Sequence, residues 1–233
     1  MTTIQKIKNE IMNNWTKSEK AWLIFATLAI LVSTLYDKAS LLEISTGLIG
    51  IVYVILIAKG YNISNMVGIV YVTIYGIIAW QAKFYGDMLM NIILIPLYII
   101  AFIQWKKHTK NGVVEARNLN IKQTVTIAIM VIAAMFLFNM VLVAMGGNYT
   151  WADSANSILT ITAMALTIGR YSQQWICWLT NNVISTSMWV LGAMNGIADI
   201  SISIVVLKVL ILGNSIWGLV HWFSNGAKKE SEI

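Results

Sequence analysis

The chain has 233 residues, 58% of them apolar and 11% charged, with a formal net charge of +6. A soluble domain carries roughly 25% charged residues, so most of this surface cannot face water. The single cysteine, Cys177, excludes an internal disulfide. Basic residues sit in short stretches between apolar runs, which is the pattern of membrane topology and not of a nucleic-acid surface.

A bilayer-spanning helix needs ~20 mostly apolar residues. Eight candidates follow one another at about 21–36, 41–58, 63–82, 86–105, 122–145, 153–169, 173–191 and 197–222. The first follows a basic start, but no small-residue cleavage site comes after it, so it reads as a retained helix and not a signal peptide. The longest polar stretch, 106–123, is too short to bury a core of its own.

Lys and Arg placement supports the count. With the N-terminus inside, thirteen of the sixteen basic residues fall on the cytoplasmic side, Lys38 and Lys83 fall outside, and Lys208 lies within the last helix. Losing one internal helix would destroy this split. Both termini are therefore expected in the cytoplasm.

Residues 43–105 recur, in pattern, within residues 153–217. A shift of 110 positions places Glu43 on Asp153, Tyr61 on Tyr171, Tyr85-Gly86 on Asn195-Gly196 and Gln104 on Asn214. Helices two to four and six to eight thus form two triplets, offset by an even number of helices, so both point the same way across the membrane. The expected fold class is all-α: a polytopic membrane protein of eight transmembrane helices, with a 3+1+3 parallel-repeat core and an extra N-terminal helix. The parts are a cytoplasmic start and peripheral helix (1–40), a first triplet (41–107), a loop and linker helix (108–150), a second triplet (151–224) and a cytoplasmic tail (225–233). Such duplications are the usual build of solute carriers, with the substrate site between the repeats near the bilayer midplane.

No metal or nucleophile signature is present. His108 and His221 lack ligand-spaced partners, there is no Walker-type phosphate loop, and no cofactor is implied. The richest polar and aromatic run lies in helix seven, Gln173 to Asn182 and then Ser185. Trp175 and Trp178 share one helix face, with Asn181 and Asn182 beside it. Two indoles flanked by amides suit a flat heteroaromatic ring, and a cationic ring would gain about 0.5–2 kcal/mol from the indole faces. The same residues could instead be an interfacial belt and interhelical glue. Helix four offers Asn91 and, beyond Pro96, Tyr98; the shift of 110 pairs these with Ser201 and Lys208 of helix eight. Pro96 should kink helix four. Lysine at mid-membrane costs about 2.5–3.5 kcal/mol, so Lys208 should face protein or a wet cavity near a carboxylate, or else snorkel. Asp37, Glu43, Asp87, Asp153 and Asp199 fall at external helix ends in this topology and mildly favour a cationic solute.

These residues resemble a family. The run from Glu43 to Lys107, with Gly47, Gly50, Asn65, Gly68, Tyr85-Gly86-Asp87-Met88, Asn91, Pro96 and Trp105, looks like the first triplet of the bacterial nicotinamide riboside transporters, the PnuC family. Asp153, Gln174-Trp175, Trp178 and Asn182-Val183-Ile184-Ser185 carry the second, and the resemblance spans about 43–224. It implies a homotrimeric carrier of the inner cell membrane, similar in build to the SWEET sugar transporters. Such a carrier passes an unphosphorylated vitamin down its gradient, and cytoplasmic phosphorylation traps the product. It also implies that Trp175, Trp178 and the Asn181/Asn182 pair hold the pyridine ring and its amide, with Asn91 and Tyr98 facing the same cavity. The resemblance leads one to expect glutamine where Tyr98 stands, Gly-Trp where Ala101-Phe102 stands, and no lysine at Lys208. Nicotinamide riboside is the first expectation for substrate, with thiamine or another vitamin or nucleoside as the alternative. An enzyme would need paired polar catalytic residues at one depth, and only Lys208 is ionisable well inside a helix.

Overall fold

The structure is a computed structural model that describes residues 15–81, 85–110, 112–144, 150–195 and 201–230, excepting the side chains of 85–86 and 225–230. Lys6, Lys8, Lys83, Gly196 and Asp199, which entered the topology and repeat readings, lie outside the described residues, as do the side chains of Lys228 and Lys229. Among those residues there are eight helices: α1 (Lys17–Asp37), α2 (Leu41–Ala58), α3 (Ile63–Gln81), α4 (Tyr85–Lys107), α5 (Ile121–Ala144), α6 (Thr150–Ile168), α7 (Gln174–Met194) and α8 (Ile202–Glu230). A two-residue hairpin, β1 (Thr109–Lys110) with β2 (Val113–Val114), joins α4 to α5.

Local chemistry explains where helices begin. Thr16 and Glu19 form a reciprocal capping box ahead of α1, and Ser40 and Glu43 do the same for α2. At α5, Gln123 donates its backbone N–H to Asn120 Oδ1 at 2.8 Å while Asn120 donates its own to Gln123 Oε1 at 3.1 Å. Each box satisfies two N–H groups that have no intrahelical partner. Helix α4 continues through Pro96 to Lys107.

Six of the eight helices are long and apolar enough to cross a membrane. Helices α6 and α7 fall outside that set because they carry a dense polar complement, including Asn156, Thr160, Asn181 and Ser185. Buried polar residues of this kind face protein or a cavity in a membrane protein, not lipid. Helix α5 is the opposite case. Its only buried residue is Asn139, and it exposes Ile129, Met130, Phe136, Leu137 and Met140, as a helix solvated by lipid would.

Consecutive packing links α2 to α3 to α4 and α6 to α7 to α8, while α2 touches α8 and α4 touches α6. Swapping the two triplets leaves this list of pairs unchanged. Helix α1 lies against α2 and α8, and α5 lies against α6. The turns that close α2 and α6 also match at the shift of 110. Gly60 (φ 73°) and Arg170 (φ 63°) both adopt the left-handed conformation. Tyr61 N–H donates to Leu56 O at 3.1 Å, and Tyr171 N–H donates to Leu166 O at 2.9 Å.

Two tryptophans clasp the triplets together. Trp105 of α4 donates its indole N–H to Thr167 O near the end of α6 (2.7 Å), and Trp222 of α8 donates to Ala58 O at the end of α2 (2.9 Å). Their rings lie 5.7 Å apart. At the same end of the bundle, Lys59 pairs with Glu19 at 2.7 Å and Arg117 shares a β-bridge with Tyr171. At the other end, Asp37 Oδ2 accepts the Ser203 N–H at 2.7 Å, so α1 caps α8.

Candidate functional site

A cavity of about 90 Å³ lies between the triplets, walled by α2, α3 and α4 on one side and α6, α7 and α8 on the other. Seven of the eight residues singled out from sequence line it: Asn91, Tyr98, Trp175, Trp178, Asn181, Asn182 and Lys208. The eighth, Ser201, does not. It precedes α8, with its hydroxyl 2.9 Å from Ser203 Oγ and beside the Glu43 carboxylate.

Helix α7 supplies the aromatic floor. Trp175 is buried and wedged against Gly218, where a Cβ would lie 2.5 Å from the indole; only glycine leaves that room. Trp178 is half-buried and donates its N–H to Thr167 Oγ1 at 3.2 Å. The Thr167 hydroxyl donates in turn to Gln174 Oε1 at 2.5 Å, so the indole orientation is set by a short polar chain behind it. One turn deeper, Asn182 donates to Ser215 Oγ at 2.7 Å.

The opposite wall is a tyrosine stack that the sequence reading did not single out. Tyr53 stacks on Tyr71 (5.4 Å) and Tyr71 on Tyr75 (5.7 Å), and Tyr53 and Tyr98 share a hydrogen bond of 2.5 Å between their hydroxyls. Tyr71 and Tyr75 sit at i and i+4, a spacing that signals one shared face. Tyr53 comes from a different helix, so no sequence spacing announced the stack. Tyr75 donates its hydroxyl to Asp87 at 2.5 Å, and Asn91 donates to the Asp87 carbonyl at 2.7 Å. Asp87 therefore lines the cavity and is not merely a surface acid.

Lys208 is the seventh residue of α8 and is 7% exposed. Its Nζ donates to Ser185 Oγ at 3.0 Å and sits 4.2 Å from the Tyr75 ring centroid and 5.8 Å from that of Trp189. No carboxylate lies within ion-pair distance of it among the described residues; the acidic neighbour is Asp87, which lines the same cavity and acts on the ammonium through its charge, while a hydroxyl and two aromatic faces touch it directly.

Three buried polar atoms on the cavity wall have no hydrogen-bond partner among the described residues: Trp175 Nε1, Asn181 Oδ1 and Asn214 Oδ1. Unpartnered groups of this kind cost about 1–3 kcal/mol each, so they mark where a ligand's polar atoms are wanted. The set offers one donor and two acceptors. A carboxamide or a nucleoside hydroxyl supplies the complement.

A family model described as Nicotinamide mononucleotide transporter matches residues 40–224. The chain belongs to this family. Proteins named nicotinamide riboside transporter PnuC are similar along most of their length. That of Haemophilus influenzae is 28% identical over 95% of this chain and 96% of its own, and that of Neisseria mucosa 25% identical over 92% and 84%. The one from Escherichia coli is 25% identical over 67% of this chain and 76% of its own. A crystal structure of the Vitamin B3 transporter PnuC superposes with a TM-score of 0.84 over 97% of this chain and 99% of that one, at 24% identity. The fold is therefore that of the family: an all-helical, multi-pass membrane protein.

Proposed function

We propose that this chain is a membrane carrier that imports nicotinamide riboside by facilitated diffusion, with phosphorylation by a separate cytoplasmic enzyme trapping the product. The observation that carries this reading is the cavity between the triplets. It holds Trp175 and Trp178 side by side with an unpartnered indole donor and two unpartnered amide acceptors, a match for an aromatic ring bearing a carboxamide and a sugar. The names borne by the family relatives point to the same substrate. Trp175, Trp178, Asn181 and Asn182 would hold the ring, with Asn91, Tyr98 and Lys208 facing it; Ser201 would act only indirectly, through the Glu43 end of α2. Thiamine or another vitamin or nucleoside is the second reading, favoured by Tyr98 and Lys208, which depart from the family pattern.

The transport step follows from the architecture. We read α2–α4 and α6–α8 as parallel repeats, supported by the matched left-handed turns at Gly60 and Arg170 and by the reciprocal packing of the two triplets. Rocking of one triplet against the other would expose the cavity to each side in turn. Helix α1 is peripheral and α5 restores orientation, with domain limits as read from the sequence. The membrane is the bacterial inner membrane, with both termini cytoplasmic, and the assembly a homotrimer in which each protomer has its own path. Among the described residues no group of metal-ligating side chains exists. Uptake of radiolabelled nicotinamide riboside into proteoliposomes tests this. Saturable uptake that persists with a protonophore is expected; collapse on its addition would replace facilitated diffusion by ion coupling.

A further inference from the structure

Tyr75 of α3 stands between the two charges of the cavity, Asp87 of α4 and Lys208 of α8, and touches both. Its hydroxyl donates to Asp87 Oδ2 at 2.5 Å, and its ring centroid lies 4.2 Å from Lys208 Nζ. The ring is itself held in place: it is buried, stacks on Tyr71 at 5.7 Å and packs against Trp189 at 5.9 Å. Asp87 and Lys208 belong to opposite triplets, both line the cavity, and the carboxylate acts on the ammonium through its charge. Opposite charges facing one cavity attract each other. Yet they form no direct ion pair. The carboxylate takes the phenol as its donor, while the ammonium takes Ser185 Oγ at 3.0 Å and the faces of Tyr75 and Trp189.

An ion pair between Asp87 and Lys208 would run from one triplet to the other, across the space a ligand has to occupy. We propose that Tyr75 is a positioning residue for substrate binding: its hydroxyl holds the Asp87 carboxylate away from Lys208 and so keeps the cavity open. The proposal rests on the cavity being the substrate site. A phenol bonded to a carboxylate is a charge-assisted donor, and the ammonium keeps its own hydroxyl and ring contacts in exchange for the pair it forgoes. Phenylalanine at this position would retain the ring that stacks on Tyr71 and faces Nζ, and would remove only the bond that holds the carboxylate. Asp87 would then turn to Lys208.

The test is calorimetric titration of nicotinamide riboside into the purified full chain, arranged as a double-mutant cycle. Tyr75→Phe is expected to weaken binding about tenfold in the wild-type background, the scale of one charge-assisted hydrogen bond. The same substitution should cost nothing in a Lys208→Met background, where no ammonium is left to capture the carboxylate. This background is decisive because Tyr75 meets Lys208 through its ring, which phenylalanine keeps. Asp87→Asn is the second background, with the same expectation, and serves if Lys208→Met does not fold. An equal loss with and without the second substitution overturns the proposal and makes the hydroxyl a plain wall contact. Undiminished binding by Tyr75→Phe alone overturns it too, a result that needs no further variant. Trp178→Ala separates the two levels. If it weakens binding while the cycle shows no coupling, the site stands and the role of Tyr75 falls; if it leaves binding unchanged, the site itself falls.

Discussion

Asn214 of α8 donates its side-chain amide to the Val54 carbonyl of α2 at 2.7 Å, and this one bond fixes which atom of Asn214 faces the cavity. Because Nδ2 is committed to the other triplet, Oδ1 is left on the cavity wall without a partner among the described residues. The residue thus joins the two triplets, and it lines the cavity with a buried acceptor that has no partner among the described residues.

Asn214→Ala should remove both roles at once. We expect affinity for nicotinamide riboside to fall about tenfold and the unfolding free energy by about 1–3 kcal/mol. Titration calorimetry and thermal unfolding in detergent check the two effects. Unchanged affinity with reduced stability would restrict Asn214 to a structural role.

Gly218→Ala should weaken binding without deleting any ligand contact. The added Cβ would stand 2.5 Å from the Trp175 ring, so the indole must move, at a cost of about 1–3 kcal/mol for overpacking. Gly213→Ala is the control: its Cβ would meet Trp22 at 3.4 Å, an ordinary contact. The first variant should lose affinity and melting temperature, and the second should lose neither.

Trp105→Phe keeps an aromatic ring but removes the N–H that Thr167 O accepts at 2.7 Å in a fully buried site. Thr167 O keeps the Arg170 N–H it accepts at 3.0 Å, so the loss is one hydrogen bond of about 0.5–1.5 kcal/mol, readable as a lower melting temperature. Thr167 also anchors Trp178, so a parallel drop in substrate affinity is expected.

The Glu19–Lys59 pair should matter more than the Lys110–Glu115 pair, although the distances are 2.7 and 2.8 Å. The first is 10% and 7% exposed, whereas Lys110 is 76% exposed. Glu19→Ala leaves a buried ammonium and should cost on the order of 3 kcal/mol, while Glu115→Ala should cost about 0–1 kcal/mol. Comparing the two melting temperatures decides it.

Hydropathy carried most of the fold. Eight helices emerge from the sequence because lipid demands ~20 apolar residues per span, and the structure places eight helices over those same segments. Their ends were less legible, since capping by Thr16, Ser40 and Asn120 depends on a few polar atoms and not on a run of apolar ones. At the shift of 110 that pairs Tyr61 with Tyr171, the turns around these two residues make matching backbone hydrogen bonds. In the cavity, Trp175, Trp178, Asn181 and Asn182 could be grouped because they share one helix. Tyr53, Asp87, Asn156 and Asn214 could not, because they meet only when four different helices pack. Asp87 illustrates the limit: a helix-end acid reads as surface until Tyr75 arrives from α3 to bond it.

The most direct measurement is tryptophan fluorescence quenching of the purified protein by nicotinamide riboside, with thiamine and uridine alongside and Trp178→Ala as the comparison. Saturable quenching by nicotinamide riboside that vanishes in the variant is the predicted result. Quenching that persists unchanged in Trp178→Ala, or saturates only with another ligand, would contradict either the cavity or the substrate assigned to it.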